Sequence, residues 1–96
     1  MKEKGYEVDG HRKFVIEFRE EPDGTIRPYA TVRPRDPYNG TVGKTHVHED
    51  GRLCILEGRE ARSMEVAEAQ AQYWMRGYCT YVDTGVFPDP GGRVKV

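Results

Sequence analysis

An alternating segment followed by a tight turn restricts the fold of this chain more than any other feature of its sequence. Within residues 13–19, Phe14, Ile16 and Phe18 lie at every second position. Aromatic and β-branched residues with a period of two are typical of a strand that buries one face. Residues 22–24, Pro-Asp-Gly, have the chemistry of a tight turn. The sequence therefore predicts a β-strand that ends at a turn.

Residues 25–33 predict a second strand, which should pair with the first as an antiparallel hairpin. Because Pro28 has no backbone N–H, we expect this strand to be interrupted, bulged or at a sheet edge there. Residues 34–40 form a loop rich in Pro, Asn and Gly. A short strand is predicted at residues 41–47, and residues 53–56 are predicted as a strand stub or a buried turn.

A helix is predicted after the strands. Ser63 is a suitable N-cap. Glu65 would lie in the first turn, where a negative charge interacts favourably with the positive end of the helix dipole. Residues 64–78 are rich in good helix formers, and the helix can continue until Gly85 and Pro88 end it. Strands followed by a helix predict an α+β fold, a small antiparallel β-meander with a helix packed on one face.

The length and composition favour one small domain. The 96 residues suit a single domain over residues 1–96, with an ordered core at approximately residues 11–88 and flexible ends. Charged residues make up 32% of the chain, which is polar for so small a domain. We assign part of this polarity to frayed ends at residues 1–10 and 89–96.

Charge and cysteine content exclude several classes of protein. The chain has 15 basic and 16 acidic residues, which argues against a nucleic-acid partner bound through phosphate charge. No apolar run approaches the roughly 20 residues of a membrane span, and no leader pattern begins the sequence. We therefore expect a soluble cytoplasmic protein with no membrane partner. In that compartment Cys54 and Cys79 are free thiols, and Cys79, which lies among aromatic residues, is predicted to be core.

Cys54 is the residue that we expect to carry the function. His46 and His48 precede it, and a turn at Asp50-Gly51 would fold this segment back beside the thiol. A thiolate attacks carbonyl and thioester carbons, and the reaction needs a donor for the developing oxyanion. Either histidine can act as that donor or as a base. The alternative is that Cys54 is a packed apolar side chain and that the histidines lie on a solvated strand face.

Residues 46–56 resemble the active-site segment of ubiquitin-conjugating enzymes. That family has a His-Pro-Asn tripeptide ahead of a Gly-x-[Ile/Leu]-Cys-Leu motif. The second motif is matched here by Gly51, Leu53, Cys54 and Ile55. By spacing, the tripeptide corresponds to residues 44–46, Lys-Thr-His, so that His46 stands where the family has Asn. The end of the chain, residues 74–88, is similar to divergent, short prokaryotic members that accompany ubiquitin-like conjugation and antiviral defence systems.

The resemblance implies a transferase that works by transthiolation, on a minimal ubiquitin-conjugating-enzyme-like core. Cys54 would take the C-terminal carboxyl of a ubiquitin-like protein from an activating enzyme, as a thioester, and pass it to a lysine amine. Its partners would be that modifier and that enzyme, and no cofactor is required. His46 would hold the oxyanion, and His48 or Asp50 would orient or deprotonate the lysine.

Two other functions stay open at this point. The chain can be a catalytically inactive binding module with the same fold, which uses the cleft near Cys54. It can also be a small metal-binding domain in which His46, His48 and Cys54 are ligands. Structural zinc sites have four protein ligands, and the sequence offers no evident fourth.

Overall fold

A computed structural model of the protein describes residues 2–55 and 57–88. Its five elements are, in chain order, β1 Lys2–Val8, β2 Arg12–Glu20, β3 Ile26–Val32, α1 Val42–Thr45 and α2 Met64–Thr84. The strands form an antiparallel sheet in the order β1-β2-β3, and α2 packs against it. The predicted α+β class, an antiparallel meander with a helix on one face, is confirmed.

β1 corrects the prediction that the first ten residues are a flexible end. Lys2–Val8 pairs with β2 over its whole length. The strand was missed because its sequence contains only two large apolar residues, Tyr6 and Val8. These two side chains pack against the core, and polar contacts with α2 also hold the strand. The Lys4 ammonium lies 2.9 Å from a carboxylate oxygen of Glu68, and the Tyr6 hydroxyl donates to the same oxygen at 3.2 Å.

β2 carries the centre of the core, as its alternation predicts. Phe14, Ile16 and Phe18 are all buried on the face that α2 covers. The Phe14 ring meets Trp74 edge-on at 5.8 Å between centroids and Tyr78 at 6.2 Å. Offset and edge-on pairs of this kind are favourable beyond the area that they bury. The aromatic cluster therefore fixes α2 on the sheet.

β3 is one of the two edge strands of the sheet, and a sheet edge is one of the places that the sequence allowed for Pro28. The register irregularity lies elsewhere, between Val15 and Ile16 of β2. On its outer edge, the Pro28 carbonyl accepts a hydrogen bond from the Leu53 N–H at 3.1 Å. This edge is therefore not left to solvent, and it receives the segment that contains Cys54.

The prediction of a strand at residues 41–47 is wrong. Val42–Thr45 forms the one-turn helix α1. The Thr41 carbonyl accepts from the Lys44 and Thr45 N–H groups at 2.9 and 3.0 Å, and from the Thr45 hydroxyl at 3.2 Å. Threonine side chains that bond to nearby backbone compete with strand pairing. The β-branched residues that suggested a strand therefore support a turn.

α2 follows the sequence prediction at both ends. The Ser63 hydroxyl accepts from the Val66 N–H at 3.3 Å, as an N-cap does. The helix ends at Gly85, which has a φ of 82° and donates its N–H to the Tyr81 carbonyl at 2.7 Å.

Within the described residues, no helix is long and apolar enough to cross a membrane. The flexible end predicted at residues 89–96 lies outside the described residues.

Trp74 ties α2 to α1. Its side chain is completely buried, and its indole N–H donates to the Thr45 carbonyl at 3.0 Å. Thr45 immediately precedes His46, so this bond fixes the start of the segment that leads to Cys54. A buried carbonyl that loses its donor costs roughly 1–3 kcal/mol.

We therefore expect Trp74→Phe to lower the free energy of unfolding by about 1–3 kcal/mol, because the Thr45 carbonyl would be left buried and unpaired. Tyr73→Phe is the matched control, because Tyr73 is the next residue along the helix and is 39% exposed. This substitution should change the free energy of unfolding by less than about 0.5 kcal/mol. Urea unfolding of both variants measures this. Equal stability of Trp74→Phe and wild type would contradict the structural role of the bond.

Candidate active site

Residues 46–54 form a small β-hairpin. The Gly51 N–H donates to the His48 carbonyl at 2.9 Å, and the His48 N–H donates to the Arg52 carbonyl at 2.8 Å. Gly51 has a φ of 95°, and a glycine in this region commonly ends a three-residue hairpin loop. The Asp50 carboxylate accepts from the Arg52 N–H at 3.0 Å, so it stabilises the loop. The turn predicted at Asp50-Gly51 is confirmed.

The hairpin lies against the outer edge of β3. The Ala30 N–H donates to the Gly51 carbonyl at 2.7 Å, and the Leu53 N–H donates to the Pro28 carbonyl. A Cβ atom at Gly51 would lie 2.7 Å from the Ala30 carbonyl oxygen, which is closer than real Cβ contacts allow. The hairpin therefore extends the sheet as an irregular fourth strand, and only glycine permits this approach.

Cys54 and His48 come together on this hairpin. The sulfur of Cys54 lies 3.7 Å from Nε2 of His48. The thiol is half-buried between the buried Leu53 and Ile55, whereas His48 is exposed. Nucleophile–base contacts are often longer in a resting site than in a reacting one. The imidazole is therefore placed to accept the thiol proton.

His46 lies in a different environment. Its side chain is 2% exposed, and its ring meets Phe87 edge-on at 4.2 Å between centroids. Its backbone is left-handed, with φ 58° and ψ 30°, which removes it from the alternation of a continuous strand. The alternative that the histidines lie together on a solvated strand face is therefore wrong for His46. His46 reaches Cys54 through the backbone, because its carbonyl accepts the Cys54 N–H at 2.9 Å.

Cys79 is a core residue, as predicted. It is 3% exposed and lies on α2, and its carbonyl accepts from the Arg12 guanidinium at 3.2 Å. Burial raises the pKa of the Cys79 thiol, although the nearby Arg12 charge opposes this shift. Of the two thiols, Cys54 is therefore the one that can meet a substrate.

The metal-binding alternative receives no support from the arrangement of these side chains. Across residues 2–55 and 57–88, no group of three or more His, Cys, Asp or Glu side chains converges as metal ligands would. His46 points into the core, while His48 stays with Cys54 at the surface. Three ligands on one short segment do not make a zinc site when their side chains diverge.

A cleft of ≈ 420 Å³ lies beside the hairpin, on the side of His48. Its walls come from the loop before α1, from α1 itself, from the hairpin and from α2, and they include Thr41, Val42, Glu49 and Tyr78. Sequence reasoning missed this cleft because its lining residues come from segments that are far apart in the chain. His48, which shares both the cleft and the contact with Cys54, is the lining residue that the sequence predicted to act in catalysis.

Asp36 gives the wall of the cleft its shape. Its carboxylate accepts from the Tyr38 N–H at 2.8 Å and from the Gly40 N–H at 2.7 Å. Burial alone would raise the pKa of Asp36, but these backbone donors outweigh it and the pKa is lowered. Burial and the Asp36 carboxylate together raise the pKa of Tyr81 to about 12. Its buried hydroxyl abuts Gly40, where a Cβ would collide with it.

Comparisons of the chain with models of protein families, with curated proteins and with solved structures find no match. The site is therefore interpreted from its own geometry. The resemblance to ubiquitin-conjugating enzymes stays a prediction from the residues around Cys54.

Gly51→Ala should destabilise the protein by roughly 2–4 kcal/mol, since it adds left-handed strain and a clash with the Ala30 carbonyl. Gly58→Ala is the matched control. Its φ is 84°, and its Cβ would meet no described atom within 4 Å, so it should cost only about 1–2 kcal/mol. Thermal and urea unfolding of the pair measure the difference, and equal losses would exclude the close approach of the hairpin to β3.

Proposed function

We propose that this chain is a cytoplasmic transferase of a ubiquitin-like conjugation system. Cys54 takes the C-terminal acyl group of a ubiquitin-like protein from an activating enzyme and passes it to a lysine amine. The observation that carries this proposal is the 3.7 Å contact between the sulfur of Cys54 and Nε2 of His48. A half-buried, accessible thiol beside an imidazole is the arrangement of an activated nucleophile.

Loading is an exchange of one thioester for another. His48 accepts the proton of the Cys54 thiol, and the thiolate attacks the acyl carbon held by the activating enzyme. The new S–C bond forms, the old one breaks, and the departing thiolate of the activating enzyme takes up the proton. Because the number of thioester bonds is conserved, the exchange at Cys54 requires no cofactor.

In the second step the acyl group moves from the Cys54 sulfur to the lysine nitrogen. The lysine amine attacks the thioester carbon, the C–N bond forms, and Cys54 leaves as a thiolate. His48 takes the proton that the nitrogen loses. Once it carries that proton, the imidazolium beside the sulfur donates to the oxyanion of the tetrahedral intermediate before the C–S bond breaks. In this proposal it replaces His46, whose ring is buried against Phe87.

Three features of the fold support the proposal. The β-meander precedes the segment that contains Cys54 and α2 follows it, which is the order that the resemblance implies. Backbone bonds to β3 hold the hairpin firmly, as a catalytic pair requires. Asp50 bonds to the loop backbone, which leaves His48 as the base of the pair.

The test is adduct formation with a ubiquitin-like protein and activating enzyme encoded in the same genome, with ATP. We expect wild type to form an adduct that a thiol reductant cleaves. Cys54→Ser should give a reductant-resistant oxyester, because its oxygen replaces the sulfur, and Cys54→Ala should give none. Non-reducing gel electrophoresis and mass spectrometry identify each adduct.

Cys79→Ala is the control, because it removes the buried thiol and leaves the hairpin unchanged. It should retain the adduct. His48→Ala should slow transfer by about a hundredfold or more, because a positioned base contributes roughly 10²–10⁴-fold. A wild-type protein that forms no reducible adduct with any encoded modifier would leave the inactive binding module as the better interpretation.

A further inference from the structure

The cleft beside His48 lies next to the reacting sulfur but does not contain it. Cys54 does not line the cleft, but His48 does, and Nε2 of His48 contacts the Cys54 sulfur, so this residue connects the cleft to the thiol. A group that enters the cleft therefore approaches the thioester from the side of the base. This is where the nucleophile must stand during transfer, because its proton passes to His48.

The walls of the cleft combine apolar surface with one available carboxylate. Val42 and Val47 supply aliphatic wall, and Glu49 lies on the rim directly after His48 in the chain. The other two charged side chains of the lining, Arg33 and Asp36, are already hydrogen-bonded to the backbone. Arg33 donates to the Ala30 carbonyl at 2.7 Å, and Asp36 accepts two backbone N–H groups. Among the described residues, no hydrogen bond or ion pair involves Glu49.

We infer that this cleft receives the acceptor side chain, an aliphatic chain that ends in a primary ammonium group, and that Glu49 determines this specificity. The inference rests on the proposed function of Cys54. Val42 and Val47 contact the methylene groups, and the Glu49 carboxylate pairs with the ammonium. The ammonium loses one proton to solvent before the amine attacks and a second proton to His48 as the amide forms. Asp50, which the sequence suggested for this role, is bound to the Arg52 N–H in the hairpin loop instead.

The probe for this inference needs no natural partner. Cys54 is acylated by exchange with a synthetic Gly-Gly peptide thioester, and peptide mapping confirms the site. Discharge is then measured against Nα-acetyl-lysine amide and, separately, against hydroxylamine. Hydroxylamine is too small to need the cleft, so it reports the intrinsic reactivity of the thioester.

We expect discharge to the lysine amide to saturate. Glu49→Gln should raise the half-saturating concentration about two- to fivefold, the value of a solvent-accessible ion pair, and Glu49→Lys should raise it further. Discharge to hydroxylamine should not change in either variant. Glu57→Gln is the matched control, because this exposed acid lines a different cleft, and it should behave as wild type.

The outcomes separate this inference from the proposed function. A Cys54 that accepts no acyl group from the thioester contradicts both. A Cys54 that is acylated, with discharge that does not saturate or that Glu49→Gln leaves unchanged, overturns the inference alone. A second measurement uses unmodified protein: Nα-acetyl-lysine amide should shift the NMR amide signals of Val42 and Glu49, and shifts confined to other surfaces would also overturn it.

Discussion

The close contact between Gly51 and Ala30 is the constraint on which the position of Cys54 depends. It joins the hairpin to β3 by a 2.7 Å hydrogen bond, and it leaves no room for a Cβ atom. The contact holds the loop between His48 and Cys54 against a strand that the core already fixes. The 3.7 Å contact between sulfur and imidazole thus depends on backbone geometry, which is maintained by a glycine that touches neither group.

The other end of the hairpin depends on α2. Trp74 bonds to the Thr45 carbonyl, and the left-handed backbone of His46 then directs its ring toward Phe87. This arrangement gives the two histidines different roles. His46 is part of the packing that fixes the hairpin, and His48 is left at the surface beside the thiol. The same His-x-His pattern thus contains one structural and one accessible imidazole.

Local signals predicted much of this fold. The alternation of Phe14, Ile16 and Phe18, the Ser63 cap and the terminal Gly85 each act over a few residues, and the structure confirms them. β1 and α1 were missed for the opposite reason, since tertiary contacts or side-chain bonds override weak local patterns there. At the site, the turn brought His48 to Cys54 as expected. The burial of His46 and the cleft with Glu49 were not predictable, because they depend on distant segments such as Phe87 and Tyr78.

In the proposed mechanism His48 activates the thiol of Cys54, and the alkylation rate of Cys54 reports this activation. Iodoacetamide reacts with the thiolate, and mass spectrometry of the peptide that contains Cys54 follows its modification at pH 7. His11→Ala is the control, since it removes another exposed histidine. We expect His48→Ala to slow alkylation of Cys54 severalfold, whereas His11→Ala should leave the rate unchanged. Equal rates in wild type and His48→Ala would contradict this activation.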